Sequence, residues 1–145
     1  MSKPWETFYS DQAKSFDPTQ VSPNSIPALV NDAVAKNGNK PAFTTFLPTG
    51  AQTTISYNEL GVFSDQFAAY LREVLGLAKG DCVAIMSPNC IGFCVASIGI
   101  AKAGLIGTNV NPLYTASELE HQLNDSGSKA IVIIDLFGDL SLIHI

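Results

Sequence analysis

Three cysteines are the side chains of this sequence best suited to metal or redox chemistry. Cys90 and Cys94 lie four positions apart, a spacing that places two thiols on one face of a helix, and Cys82 precedes them. A structural zinc site needs two further ligands, and neither His121 nor His144 has a ligand partner at motif spacing. The pattern therefore favours buried, reduced thiols of a cytoplasmic protein and predicts no metal site.

The glycines Gly99 and Gly104 have the GxxxxG spacing of a phosphate-binding loop. Such a loop continues with Lys and then Ser or Thr, whereas Leu105 and Ile106 follow here. No serine, cysteine or threonine has a histidine at a spacing that indicates nucleophilic catalysis. The residue types and spacings therefore predict no catalytic and no cofactor-binding residue.

The segment NVNPLYT at 109–115 contains the two candidate ligand-facing residues, Asn111 and Tyr114. The segment is predicted to follow a central parallel strand, and crevices at the carboxyl ends of such strands bind ligands in open α/β sheets. The alternative is structural: Asn111 and Pro112 shape the turn, and Tyr114 packs behind the start of the next helix. The sequence leaves both interpretations open.

The composition indicates a globular chain with one core. Hydrophobic residues make up 46% of the 145 residues and charged residues 14%, with a net charge of -5. Scattered basic residues argue against nucleic-acid binding, which needs a basic patch. The start, MSKPWETFYSDQ, has no apolar signal segment. The apolar stretch 90–107 is interrupted by Lys102 and falls short of the about 20 residues of a membrane span, so it predicts a buried helix and strand.

The N-terminal half predicts an arm, two helices and a β-hairpin. The predicted ranges are a surface arm at 1–25, a helix at 26–37, strands at 41–47 and 53–57, and a helix ending before Gly76. Ser25 caps the first helix, and Ser56 with Glu59 forms a capping box for the second. The second helix carries an apolar stripe at helical spacing that predicts core packing: Leu60, Phe63, Phe67, Leu71 and Leu75.

From residue 82 onward, strands and helices alternate. Apolar runs at 82–86, 105–110 and 129–134 are typical of strands buried on both faces of a parallel sheet, and the helix at 88–103 is apolar on nearly all sides. A second capping box, Thr115 with Glu118, begins the next helix. The predicted fold class is α/β: an N-terminal hairpin and helices followed by a doubly wound, mainly parallel βαβαβ unit.

Two segments of the second half carry a family resemblance. VNPLYT at 110–115 and ELEHQLNDSG at 118–127 closely resemble bacterial long-chain fatty acid–CoA ligases, which belong to the adenylate-forming, AMP-binding superfamily. Further matches are KPA at 40–42, SYNEL at 56–60 and VAIMSPN at 83–89. The resemblance covers about 26–134 and implies that 26–139 is an incomplete part of the large N-terminal domain of an adenylate-forming enzyme.

The resemblance implies a ligase that activates a long-chain fatty acid with ATP to an acyl-adenylate and transfers the acyl group to coenzyme A, with Mg²⁺ neutralising phosphate charge. The family's phosphate loop, its ribose-binding aspartate and its C-terminal lysine do not occur in this sequence. No catalytic or nucleotide-binding residue is therefore carried over, the chain alone is expected to be inactive, and no cofactor is expected to bind it. A lipid-like substrate leaves room for peripheral membrane contact.

The last six residues, LSLIHI at 140–145, match one reading frame of a transposase sequencing adapter, CTG TCT CTT ATA CAC ATC. They have no cap and no turn, so we expect a non-native tail in which His144 has no function. Two other functions stay open. One is a ligase for aromatic or medium-chain acids, which the acyl pocket would distinguish. The other is a non-catalytic α/β binding module, which nucleotide or acyl binding by this chain would favour.

Overall fold

The computed structural model describes residues 4–46 and 49–133, so the proposed tail at 140–145 and His144 lie outside the described residues. Short helical turns at Pro4–Phe8, Asp11–Lys14 (α1) and Pro18–Gln20 come first. The helices that follow are α2 (Ile26–Asn37), α3 (Tyr57–Ala69), α4 (Ile91–Lys102) and α5 (Ala116–Ser126). The strands are β1 (Pro41–Phe46), β2 (Gln52–Ser56), β3 (Cys82–Met86), β4 (Ile106–Asn109) and β5 (Ser128–Ile133).

The N-terminal half matches its predicted elements closely. The arm is exposed from residue 4 to residue 22, although its separation as a unit stays a prediction. Strands β1 and β2 pair antiparallel, with Phe46 opposite Gln52. Ser56 and Glu59 form the predicted capping box at the start of α3: the Ser56 N–H donates to the Glu59 carboxylate at 2.8 Å, and the Glu59 N–H donates to the Ser56 hydroxyl at 3.2 Å.

The face that α3 buries differs from the predicted stripe. Leu60 is buried, as is Leu71 in the π-helical turn Tyr70–Val74 that continues α3, but Phe63 is 41% exposed and Leu75 43%. The buried positions beside Leu60 are Gly61 and Ser64. Small residues occupy the contact because α2 and α4 approach α3 closely: a Cβ at Gly61 would lie 3.3 Å from the Val34 side chain.

A parallel sheet of order β4–β3–β5 organises the second half. The side chains of β3 alternate between two buried clusters, as the period of a strand requires. One cluster contains Val83, Ile85, Leu71, Ala96 and Ile100, and the other contains Ala84, Met86, Val110, Leu119 and Leu123. Helices α3 and α4 therefore cover one face of β3 and α5 covers the other, which confirms the doubly wound α/β prediction.

The prediction of three strands buried on both faces is correct for β3 and wrong for β4 and β5. In β5, Lys129 is exposed and the other five residues are half-buried. All five residues of β3 are buried, whereas Ile106 in β4 is 56% exposed. Strand β4 is an edge strand and not the central one, because only β3 pairs with it among the described residues. The all-round burial predicted for α4 is also incomplete: only Ala96, Gly99 and Ile100 are fully buried, Gly92 and Ser97 are exposed, and the other residues of α4 are half-buried.

The described helices are all too short or too polar to cross a bilayer, in line with the prediction that the stretch 90–107 forms a helix and a strand.

Candidate functional site

The carboxyl ends of β3 and β4 form the place in this sheet where a crevice is expected. The chain leaves β3 for α4 on one face, and it leaves β4 for α5 on the opposite face. Neighbouring parallel strands whose connections diverge in this way leave a crevice between the two connecting loops, at which open α/β sheets bind ligands. The two loops are residues 87–90 after β3 and residues 110–115 after β4.

The loop after β4 holds the two candidate residues in different ways. The Asn111 side-chain oxygen accepts a hydrogen bond from the Leu113 N–H at 3.0 Å, and the Asn111 carbonyl accepts one from the Tyr114 N–H at 3.1 Å. The Asn111 side chain thus shapes the turn. Tyr114 is half-buried and packs against the cluster that contains Leu119 and Leu123. These contacts are the ones that the structural interpretation predicts, and the ligand-facing role of both residues stays a prediction.

Tyr114 also lines a pocket between this loop and α5. The pocket has a volume of about 430 Å³ and is lined by Asn109, Tyr114, Ser117, Glu118, His121, Gln122 and Asp125. Its volume falls within the range of small-molecule sites. The described residues that line it include Tyr114 but not Asn111. All except Tyr114 are polar or charged, but their hydrocarbon parts also line the pocket, so the lining does not select one class of ligand.

Hydrogen bonds within the chain fix two of the polar groups in this pocket. Gln122 donates from its side-chain nitrogen to the Asn109 carbonyl at 2.9 Å, which holds α5 to the end of β4. The Glu118 carboxylate accepts from the N–H and the hydroxyl of Thr115, both at 2.8 Å. These hydrogen bonds, the backbone one first, hold the pKa of Glu118 below its ordinary value. Glu118 is therefore an anionic helix cap and not a proton donor near neutral pH.

His121 is exposed on α5 and has no catalytic partner. Within the described part of the chain, no hydrogen bond joins its imidazole to a hydroxyl, a thiol or a carboxylate, so the pocket contains no nucleophile–base pair of the kind used in covalent catalysis. This position agrees with the prediction of a surface or edge histidine. The pocket can bind a polar group, but its side chains do not form a reaction centre.

The chain's own side chains partly cap the two helices that start at this edge. At α5, the Glu118 N–H donates to the Thr115 hydroxyl, and the Glu118 carboxylate places a negative charge at the N-terminus. At α4, the Ile91 N–H donates to the Thr45 hydroxyl at 3.1 Å, and the N–H groups of Gly92 and Phe93 face the Cys90 thiol. Helix N-termini bind phosphate through free N–H groups, and the Glu118 carboxylate disfavours an anion at α5.

Among the described residues, 4–46 and 49–133, no group of three His, Cys, Asp or Glu side chains is arranged to hold a metal ion. No step of ATP chemistry is assigned to these residues.

The residues that the sequence analysis missed lie on one face of α5. Ser117, His121, Gln122 and Asp125 recur at steps of three and four residues and line the same pocket as Tyr114. The sequence contains this polar stripe, but the stripe is also what a solvated helix face shows. Only the position of the 110–115 loop over α5 distinguishes a pocket wall from an ordinary exposed face.

Comparisons with known proteins identify relatives of this chain and of its fold. The family model described as AMP-binding enzyme matches residues 30–143. The long-chain-fatty-acid–CoA ligase of Escherichia coli O6:H1 is 44% identical over 141 residues, which cover 95% of this chain and 24% of the relative. A Mycobacterium tuberculosis fatty acyl CoA synthetase structure superposes with a TM-score of 0.71 at 26% identity, covering 81% of this chain and 22% of the other.

A benzoate CoA ligase from Burkholderia xenovorans LB400 superposes equally well, with a TM-score of 0.71 at 21% identity over 81% of this chain and 23% of the other, so that likeness concerns the fold alone. The chain spans about a quarter of the length of the curated relatives that it matches. The family match covers most of the chain, including the doubly wound sheet and both loops at its carboxyl edge. This chain belongs to the AMP-binding enzyme family.

Proposed function

We propose that this chain supplies the N-terminal α/β scaffold of a long-chain fatty acid–CoA ligase. The observation that carries the proposal is the 44% identity to a long-chain-fatty-acid–CoA ligase along 95% of the chain. The fold itself does not separate fatty acyl from aromatic substrates, because the two solved structures superpose with the same TM-score.

In this proposal the whole enzyme joins a fatty acid to coenzyme A through an acyl-adenylate, with ATP and Mg²⁺ as co-reactants. The chain described here contributes structure to that reaction. The Glu118 carboxylate disfavours an anion at the N-terminus of α5, and the family's phosphate loop does not occur in this sequence, so the groups that bind phosphate come from other parts of the enzyme.

A chimera tests this assignment. Residues 4–133 of this chain replace the matching first quarter of the Escherichia coli O6:H1 ligase, and ATP–pyrophosphate exchange is measured with palmitate and with benzoate. We expect palmitate-dependent exchange, because the two segments are 44% identical over 95% of this chain, so the substituted scaffold should pack against the rest of the relative. The control chimera carries Ala96→Pro, which breaks α4 beneath the sheet and should abolish exchange.

A soluble, folded chimera without exchange with either acid would contradict the proposal. Exchange that depends on benzoate and not on palmitate would instead assign the chain to the ligases of aromatic acids.

A further inference from the structure

A second pocket lies on the opposite side of the sheet edge, where the hairpin meets the start of α4. It has a volume of about 270 Å³, and its walls include Thr45 of β1 and Asn89, Cys90 and Cys94 around the first turn of α4. Both thiols line this one pocket, and both are half-buried, whereas Cys82 is buried in β3. The prediction of buried thiols is therefore correct for Cys82 and wrong for the other two.

The two thiols in this pocket differ in their ease of ionisation. The Ser87 hydroxyl lies 3.4 Å from the Cys90 sulfur. Partial burial raises the pKa of the Cys90 thiol, but the Ser87 hydroxyl and the N–H groups of Phe93 and Gly92 outweigh it, so the pKa lies below its ordinary value. Burial, and then the nearness of Cys90, raises the pKa of Cys94. Cys90 is thus the nucleophile of the pair, since the thiolate is the reactive form.

The backbone brings the thiols within one helical turn of each other. The Cys94 N–H donates to the Cys90 carbonyl at 3.3 Å, which closes the first turn of α4. Cys90 is the N-cap residue, with an extended backbone at φ -147° and ψ 172°, so its side chain does not follow helical spacing. Both thiols line the same pocket, so one centre in that pocket can bond to both sulfurs.

We propose that Cys90 and Cys94 form a two-thiol binding site for a soft, thiophilic centre that makes two bonds to sulfur, of the kind that trivalent arsenic presents. Zinc needs four ligands, and the described residues offer no group of three that could hold a metal ion, so a two-bond ligand matches the donors present.

The reaction with an organic arsenoxide balances without an oxidant. The Cys90 sulfur attacks arsenic and forms the first sulfur–arsenic bond. The Cys94 sulfur then forms the second, and the arsenic-bound oxygen leaves as water with the two thiol protons. Arsenic stays trivalent, and both sulfurs keep their oxidation state.

The test uses phenylarsine oxide on the complete 145-residue chain. After loading, free thiols are alkylated with iodoacetamide under denaturing conditions, and fragment-ion mass spectrometry assigns the alkylated cysteines. We expect one phenylarsenic group per chain, with Cys90 and Cys94 protected and Cys82 alkylated. Because the second bond is intramolecular, the adduct should resist excess glutathione, a monothiol, and be removed by dithiothreitol, a dithiol.

Variants separate a two-thiol site from single reactive thiols. Cys90→Ser and Cys94→Ser should each weaken apparent affinity on the order of 10²-fold or more, because each removes the chelate. The matched control Cys82→Ala should leave affinity unchanged. Retention of the glutathione-resistant adduct in either serine variant would overturn the proposal, as would protection of Cys82 with Cys90 or Cys94 alkylated. If a variant fails to fold, the pattern of alkylated and protected cysteines in the unsubstituted chain still tests the proposal.

Discussion

Asp81 joins the turn before β3 to strand β5. Its carboxylate accepts a hydrogen bond from the Ala78 N–H at 2.7 Å and pairs with the Lys129 ammonium at 2.9 Å. The Lys129 side chain and then the Ala78 N–H hold the pKa of Asp81 below its ordinary value of 3.8. The sequence did not predict this contact, because the two residues meet only once the parallel register of β3 and β5 is known.

Asp81→Asn should lower stability near neutral pH and have less effect in acid. A carboxyl whose pKa is lower in the folded state stabilises that state fully above its ordinary pKa, and the contribution is lost as pH falls through the lower folded value. The amide still accepts from Ala78, so the substitution removes mainly the charge. Thermal unfolding of both proteins, followed by circular dichroism from pH 7 to acid, should show converging midpoints below pH 3.8. A difference that stays constant with pH would contradict this account.

The capping residues show what sequence can predict at the residue scale. Ser56 with Glu59 and Thr115 with Glu118 were both predicted as capping boxes, and both form. A capping box depends on groups three residues apart, so local sequence suffices. The role of Asn111 was left open for the opposite reason: an asparagine suits a turn or a ligand equally well, and only the hydrogen bond to Leu113 shows the turn.

At the element scale, the contact between α3 and α4 depends on the absence of a side chain at Gly99. A Cβ there would lie 2.8 Å from the Phe67 ring and 3.0 Å from the Ser64 carbonyl oxygen. Because the second neighbour is backbone, the helices would have to separate. Lys102, almost fully buried, reinforces the same contact by pairing with Asp65 at 2.8 Å.

Gly99→Ala should therefore destabilise the fold by about 1–3 kcal/mol, the usual cost of inserting atoms into a packed contact. The matched control is Gly92→Ala in the same helix, where the nearest atom to a new Cβ is the Cys90 sulfur at 3.7 Å. That substitution should stabilise by about 0.4–1 kcal/mol through lower entropy of the unfolded chain. Urea unfolding measures both. Equal effects of the two substitutions would contradict the close packing of α3 and α4.

Strand β4 presents an open edge with an apolar residue on it. Ile106 is 56% exposed, and only β3 pairs with β4 within the described residues. Open edges of this kind favour association between copies. Ile106→Lys should therefore reduce self-association, while Leu113→Lys, in a loop residue that is 86% exposed, should change it little. Sedimentation velocity over a concentration series tests this. Equal association of the unsubstituted chain and Ile106→Lys would show that β4 is not the contact.

The elements that the sequence predicted correctly are those defined by their own pattern. The alternation of strands and helices from 82 to 134 predicted the parallel sheet, and the apolar run 82–86 predicted the fully buried β3. The burial of β4 and α4 was overestimated. An apolar sequence shows which surfaces favour burial, but it does not show whether another element packs against them. The face of α3 was misassigned because close packing selected Gly61 and Ser64 over the larger Phe63.

On the scale of the whole molecule, the described residues have the architecture of the family. The chain matches the AMP-binding model over 30–143 and spans about a quarter of the length of its curated ligase relatives. The sheet edge is formed, and the chain's own side chains partly cap the helix N-termini there. The resemblance was visible in 110–127 because that segment combines a turn, a cap and a helix with fixed residue types.

ATP–pyrophosphate exchange by the purified 145-residue chain tests most directly whether it provides scaffold without chemistry. The assay contains Mg²⁺, labelled pyrophosphate and a long-chain fatty acid, with the palmitate-active chimera as positive control. We predict no exchange above a blank without protein, since the family's phosphate loop and C-terminal lysine do not occur in this sequence. Exchange that depends on fatty acid and co-purifies with the chain would contradict this account, because the chain would then carry out the adenylation step itself.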